Sequence, residues 1–353
     1  MHLDRVYGLV QSQLDRIDFC DVWPGFLPVK FAVYNESQCF FDGQYIPKTD
    51  AFIANTAIVF NGEPIAIWKI TENDESIDYD VLTSKIVHEM FHAHQLQCHE
   101  NRYPNELEAV QRYAIDPRNL SEKLHEAKLL KACFYDKSAS SLREFFMLRK
   151  QRVQAFPYEA TYEAQIEQIE GSAQYVELLA LSQLNAQKGQ VAWERLVESI
   201  QDPQRYFPIR VISYAIGAVV LRVLNQQGML KPILNSALPF SLAMIDGIEP
   251  STLPIPVDTA MEHHMIAYRS VTTQIIQNAL AKNEVVVEGD YPLLGLNVYD
   301  ARSDEPFVTS TYFVMVEVDG QPRVFNGDFV IELNDHGRVR RVYRQATKPG
   351  EEQ

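Results

Sequence analysis

Apolar spacing divides the chain into three stretches of different period. Residues 1–20 carry a helical pattern, after which residues 27–70 change to short β-rich runs. Strands are predicted at 29–34 and 38–41 around an Asn-Glu-Ser turn. Two more are predicted at 56–60 and 64–70 around Asn61-Gly62, a dipeptide that accepts the positive φ angles of a tight hairpin. Together they predict a small antiparallel sheet.

From residue 78 to about 230, apolar positions recur at three- and four-residue intervals. Helices are predicted at 79–97, 105–113, 119–150, 159–186, 190–200 and 208–226. Pro104, Pro117, Pro157, Pro203 and Pro208 punctuate them, since proline cannot donate to a helical ladder. Asp78 or Asp80 suits the N-cap of the first. Gly247, Pro250, Pro254 and Pro256 mark an irregular connection before a helix at 258–282. The period then returns to β at 285–288, 294–299, 311–318, 323–333 and 338–344, with turns at Asp319-Gly320 and 334–337. The expected organisation is an N-terminal helix and sheet over 1–75, a helical region over 76–282, a C-terminal β module over 283–346, and a polar, disordered tail over 347–353.

Composition narrows the class. The 353 residues are 46% hydrophobic and 22% charged, which describes a globular protein with a sizeable core. The net charge of −15 repels phosphate, so neither nucleic acid nor an anionic membrane surface is expected as a partner. The N-terminus lacks a basic leader followed by an apolar run, and no stretch approaches 18 consecutive apolar residues. Cys20, Cys39, Cys98 and Cys133 lack close spacing and read as reduced thiols, which predicts a cytoplasmic protein.

Chemistry enters at His88-Glu89-Met90-Phe91-His92, an HExxH pattern inside the 79–97 helix. Residues four apart share a helix face, so His88 and His92 can offer two imidazoles to one metal ion. Glu89 lies about 100° round the helix, within reach of a water held there. A third ligand is needed. The short-range continuation HExxHxxGxxH fails, because Gln95 and Cys98 stand where glycine and histidine belong and His99 is one residue out of register. The long-range option is Glu170 in Glu170-Gly171-Ser172-Ala173-Gln174-Tyr175-Val176-Glu177, where Gly171 and Ala173 allow close approach of a neighbouring helix.

Glu170 also belongs to a stripe of Glu163, Glu167, Gln174 and Glu177 at helical spacing, whose bland reading is a solvated acidic face. Within it Glu167 is the other candidate ligand, and Glu177 is placed to orient a ligand histidine from outside the coordination set. Tyr175 reads as core, and His94 points away from the His88/His92 face. His99 lies on that face two turns on, where it would line a cleft. The chain has no GxSxG, no P-loop and no GxGxxG after a strand, which leaves serine hydrolase and nucleotide-binding readings without support.

HExxH followed by EGxAxY resembles the gluzincin metallopeptidases, the group of thermolysin and aminopeptidase N. The resemblance implies Zn²⁺ held by His88, His92 and Glu170, with Glu89 as general base. Ile212-Ser213-Tyr214-Ala215-Ile216-Gly217-Ala218 is similar to the Y-x-K-G-A segment of the aminopeptidase N branch, with Ile216 in place of the lysine. That likeness gives Tyr214 the role of oxyanion donor, against the bland reading of a core aromatic. Thr56, Ala57, Ile58, Val59 and Phe60 resemble the edge strand that pairs with an extended substrate in these folds.

Two departures stand out. His92 and Glu170 lie 78 positions apart, and no GxMEN motif is present. The resemblance therefore implies a zincin-like α+β fold and a zinc-dependent metallopeptidase acting on peptide or protein, without favouring an aminopeptidase. The alternatives are a zincin-fold hydrolase of a non-peptide substrate and an inactive zincin-like binding protein.

Overall fold

Residues 31–69 form a sheet where the pattern predicts one, but it is mixed rather than wholly antiparallel. In the computed structural model, which describes residues 2–71, 76–230 and 236–345, β1 (Phe31–Tyr34), β2 (Gln38–Phe41), β3 (Gln44–Pro47), β4 (Thr56–Phe60) and β5 (Glu63–Lys69) lie in the order β3-β2-β1-β5-β4. The β1–β2, β2–β3 and β4–β5 pairs are antiparallel, and the central β1–β5 pair is parallel. Asn61 and Gly62 take φ of 51° and 83°, the turn their dipeptide predicts. The strand β3 is mostly exposed and lacks an apolar alternation, so the pattern did not reveal it.

The two faces of β1 explain why all four of its residues are buried. Phe31 and Val33 join the main helical core, while Ala32 and Tyr34 join a second cluster with Phe52, Ile65 and Ile67. Helix α1 (Leu3–Leu14) covers the first face through Leu3, Val6, Val10 and Leu14, and the short α2 (Phe19–Val22) follows.

The helical region begins with α3 (Tyr79–Gln97), whose Asp78 cap accepts from the Asp80 and Val81 amides. After α4 (Glu106–Arg112), the predicted 119–150 helix is two: α5 (Pro117–Asp136) and α6 (Ala139–Ala155). Lys137 ends α5 in the left-handed region at φ 51°, and Ser138 caps α6, with no glycine or proline to signal the break. The predicted 159–186 helix is α7 (Pro157–Ile166), a π turn over Glu167–Gly171, and α8 (Ser172–Leu184). Next come α9 (Ala186–Ser199), α10 (Ile209–Gln226), α11 (Phe240–Ala243) and α12 (Thr259–Lys282). By length and composition α10 could cross a membrane, yet 67% of it is buried inside the protein, as the central core helix.

The C-terminal module comprises β6 (Val285–Tyr291), β7 (Leu293–Leu296), β8 (Ser303–Asp304), β9 (Phe307–Ser310), β10 (Phe313–Val318), β11 (Gln321–Asn326), β12 (Phe329–Leu333) and β13 (Val339–Arg344). Among the described residues these form sheets β11-β10-β7 and β6-β13-β12-β9-β8 around Val314, Val316, Phe329, Ile331 and Val342. The predicted 323–333 strand is divided at Gly327 (φ 129°), and its halves join different sheets. Leu107 and Val110 of α4 pack on this core, and Ile276 and Ala279 of α12 pack on Val330 and Tyr343. A small N-terminal sheet, a large helical middle and a small C-terminal β module match the zincin-like α+β architecture expected. The predicted tail lies outside the described residues.

Candidate metal centre

Helix α3 presents His88 and His92 one turn apart toward the π turn that carries Glu170. The two Nε2 atoms are 3.2 Å apart, and Glu170 Oε2 lies 3.3 Å from His92 Nε2 and 3.8 Å from His88 Nε2. A tetrahedral zinc with bonds of about 2.0–2.1 Å sets its donors roughly 3.4 Å apart, so the three atoms have the spacing the ion needs. The Nδ1 atoms face outward: His88 Nδ1 lies 3.1 Å from Glu177 Oε2 and His92 Nδ1 lies 2.8 Å from Gln95 Oε1.

Those outer contacts fix the protons. Glu177 as a carboxylate only accepts. The Gln95 amide nitrogen donates to the Ile169 carbonyl (2.9 Å) and Ser172 Oγ (3.2 Å), which turns its oxygen toward His92. Both rings therefore keep hydrogen on Nδ1 and turn Nε2 inward, where loss of the Nε2 proton frees a lone pair for a metal. Two such nitrogens and a carboxylate oxygen converging on one point suit a cation there. Burial works against a charged His88, but hydrogen bonds to Glu170 and Glu177 outweigh it and push its pKa up to about 10. Burial alone would likewise raise Glu170, yet hydrogen bonds to both histidines and the Arg210 charge hold its carboxyl well below the usual range. His88, His92 and Glu170 are thus a zincin-like cluster able to coordinate a divalent metal such as Zn²⁺.

Glycine brings α10 to this cluster. A Cβ on Gly171 would stand 2.8 Å from Gly217 Cα, and one on Gly217 would stand 2.9 Å from Glu167 Cα. The close approach foreseen at Gly171 is therefore to α10, not to the histidine helix. The π turn also breaks the acidic stripe. Glu167 pairs with Arg149 (2.8 Å) and bonds Ser241, while Glu163 pairs with Lys123 (2.7 Å) and Arg152 (2.8 Å). Both are buried in an ionic network, which corrects the solvated-face reading and removes Glu167 as a ligand.

A cleft of about 380 Å³ opens on the metal cluster. Glu89 lines it, and burial raises its carboxyl despite the nearby histidines. Tyr214 lines it too, and burial followed by the Glu170 charge keeps its phenol protonated. Thr56 and Ala57, from the start of edge strand β4, form one wall. The rest of that strand leads away: Val59 is 65% exposed, Ile58 packs on the outer cluster, and Phe60 meets Phe41 and Phe52 edge to face. His99, expected at this cleft, instead lines a larger cavity of about 640 Å³ beside Trp23, Phe91 and His94. Tyr175 is core.

Four residues of the site escaped the sequence reading. Gln95 stands three positions from His92, a legible helical spacing, at the place where HExxHxxGxxH has its glycine. Arg210 stands one turn before Tyr214 and reaches Glu170 (3.1 Å) and Glu106 (3.0 Å). Tyr299 enters the cleft from the C-terminal module, and no local pattern could place it there. No protein-family model, curated protein or solved structure matches this chain.

Proposed function

We propose that this protein is a zinc-dependent metallopeptidase of gluzincin type, acting on peptide or protein substrates. The observation that carries the reading is the inward convergence of His88 Nε2, His92 Nε2 and Glu170 Oε2, oriented from outside by Glu177 and Gln95. Zinc bound by His88, His92 and Glu170 would supply Lewis acidity toward a scissile carbonyl and the attacking water.

The chain's own groups divide the remaining work. Glu89 accepts the proton of the attacking water and returns it to the leaving amine; burial raises its carboxyl, which strengthens it as a base. Arg210 donates to the Tyr214 oxygen, so the Tyr214 O–H, which faces Tyr299, is the group that would turn to donate to a developing oxyanion. Thr56 and Ala57 offer edge-strand backbone to an extended peptide.

The test is Glu89→Gln. Wild-type protein is expected to hold one equivalent of zinc by elemental analysis and to cleave members of a peptide library. The variant is expected to retain the zinc and lose cleavage. Wild-type protein that takes up no zinc, or holds it and cleaves no peptide, overturns the proposal.

A further inference from the structure

We propose that Arg210 is a positioning residue for Glu170: it holds Oε1 so that Glu170 presents Oε2 alone to the metal, an inference that rests on the metal-binding reading above. Arg210 is only 9% exposed, on the first turn of α10. Its Nη2 lies 3.1 Å from Glu170 Oε1, on the side of the carboxylate away from the histidines. Its Nε lies 3.0 Å from Glu106 Oε1, and its Nη1 donates to Tyr214. The guanidinium also stands over two rings, 5.1 Å from that of Tyr214 and 5.0 Å from that of Tyr299.

The placement is built. Arg210, Tyr214 and Gly217 follow one another at spacings of four and three, so they share a face of α10. Gly217 meets Gly171 and Glu167 on that face, bringing the π turn within reach of the guanidinium. Glu106 compensates the buried charge, which would otherwise repel a dication a few ångströms away.

The chemistry asks for this device. A carboxylate can bind a metal through one oxygen or both. If Glu170 used both, it would occupy the position a hydrolytic zinc site keeps open for water. A charge-assisted bond to Oε1 competes with the second mode. Lysine, with a compact ammonium on a flexible stem, cannot bond Glu170 and Tyr214 from two fixed nitrogens as the guanidinium does.

The experiment uses the full chain and zinc alone. Zinc affinity is measured by chelator competition and oxygen coordination by zinc X-ray absorption, in wild type, Arg210→Met and Arg210→Lys, with circular dichroism as the fold control. Folded Arg210→Met is expected to bind zinc about 10–100-fold more weakly and to show an added oxygen neighbour at zinc. Arg210→Lys is expected to restore only part of the affinity, and by itself carries the comparison if the methionine variant does not fold. A folded variant with wild-type affinity and an unchanged absorption spectrum overturns the inference while leaving the metal reading intact. Wild-type protein that binds no zinc overturns both.

Discussion

His92 Nδ1 and Gln95 Oε1 lie 2.8 Å apart on one helix, and Gln95 is itself pinned to the Ile169 carbonyl next to Glu170. One buried amide thus sets the tautomer of one metal ligand and the position of another. Gln95→Leu is expected to weaken zinc binding about 10-fold or more and to destabilise the fold by about 1–3 kcal/mol through the lost buried hydrogen bonds to Ile169 and Ser172. Chelator competition and urea denaturation check the two effects. A variant that loses stability but binds zinc as tightly as wild type would refute the tautomer argument.

That residue also marks how far the sequence could be read. HExxH is local, so one helix places His88 and His92, and the 3.6 period made it legible. Glu170 was legible only as a pattern, because its position depends on a π turn and a glycine crossing that no single-helix period encodes. Lys137 ended a helix without a breaker residue, and β3 showed no alternation, so both escaped. Arg210, Glu106 and Tyr299 converge from separate elements, and their meeting is a property of packing.

Metal uptake is expected to compete with a proton. In protein stripped by a chelator, His88 titrates well above its ordinary 6.5, at about 10. A raised folded value contributes stability that is complete below about pH 6.5 and is lost as pH rises through about 10. The melting temperature of stripped protein is expected to fall across that window, and His88→Gln to flatten the slope. Zinc must displace the same proton, so binding near pH 7 is expected to release protons and to tighten as pH rises. Calorimetric titration in buffers of different ionisation enthalpy counts them; zero release contradicts the assignment.

The ionic network behind the site is expected to act on stability rather than chemistry. Burial would raise Glu163, but Arg152 and Lys123 hold it down at about 2. A lowered folded value gives stability that is present above about pH 4.5 and lost as pH falls toward 2. Glu163→Gln leaves two buried cations short of a partner and is expected to cost about 3–5 kcal/mol. Denaturant titration at pH 7 measures that cost, and the variant's loss of stability on acidification is expected to be shallower than wild type's. A variant as stable as wild type at pH 7 would show that the network compensates internally.

Gly217→Ala tests whether the helix crossing supports the metal cluster. The added Cβ would stand 2.9 Å from the Glu167 Cα and carbonyl oxygen, backbone atoms that cannot turn aside. The π turn must shift, carrying Glu170 with it. The expected cost is about 1–3 kcal/mol of stability together with weaker zinc binding. Gly8→Ala is the matched control: Gly8 lies in α1 with nothing within 4 Å of a new Cβ, so the change is expected to be neutral or stabilising by up to about 1 kcal/mol. Chelator competition separates local from global damage. If the folded Gly217→Ala protein holds zinc as tightly as Gly8→Ala, then Glu170 does not depend on the crossing, and its position must come from α3 and Arg210 alone.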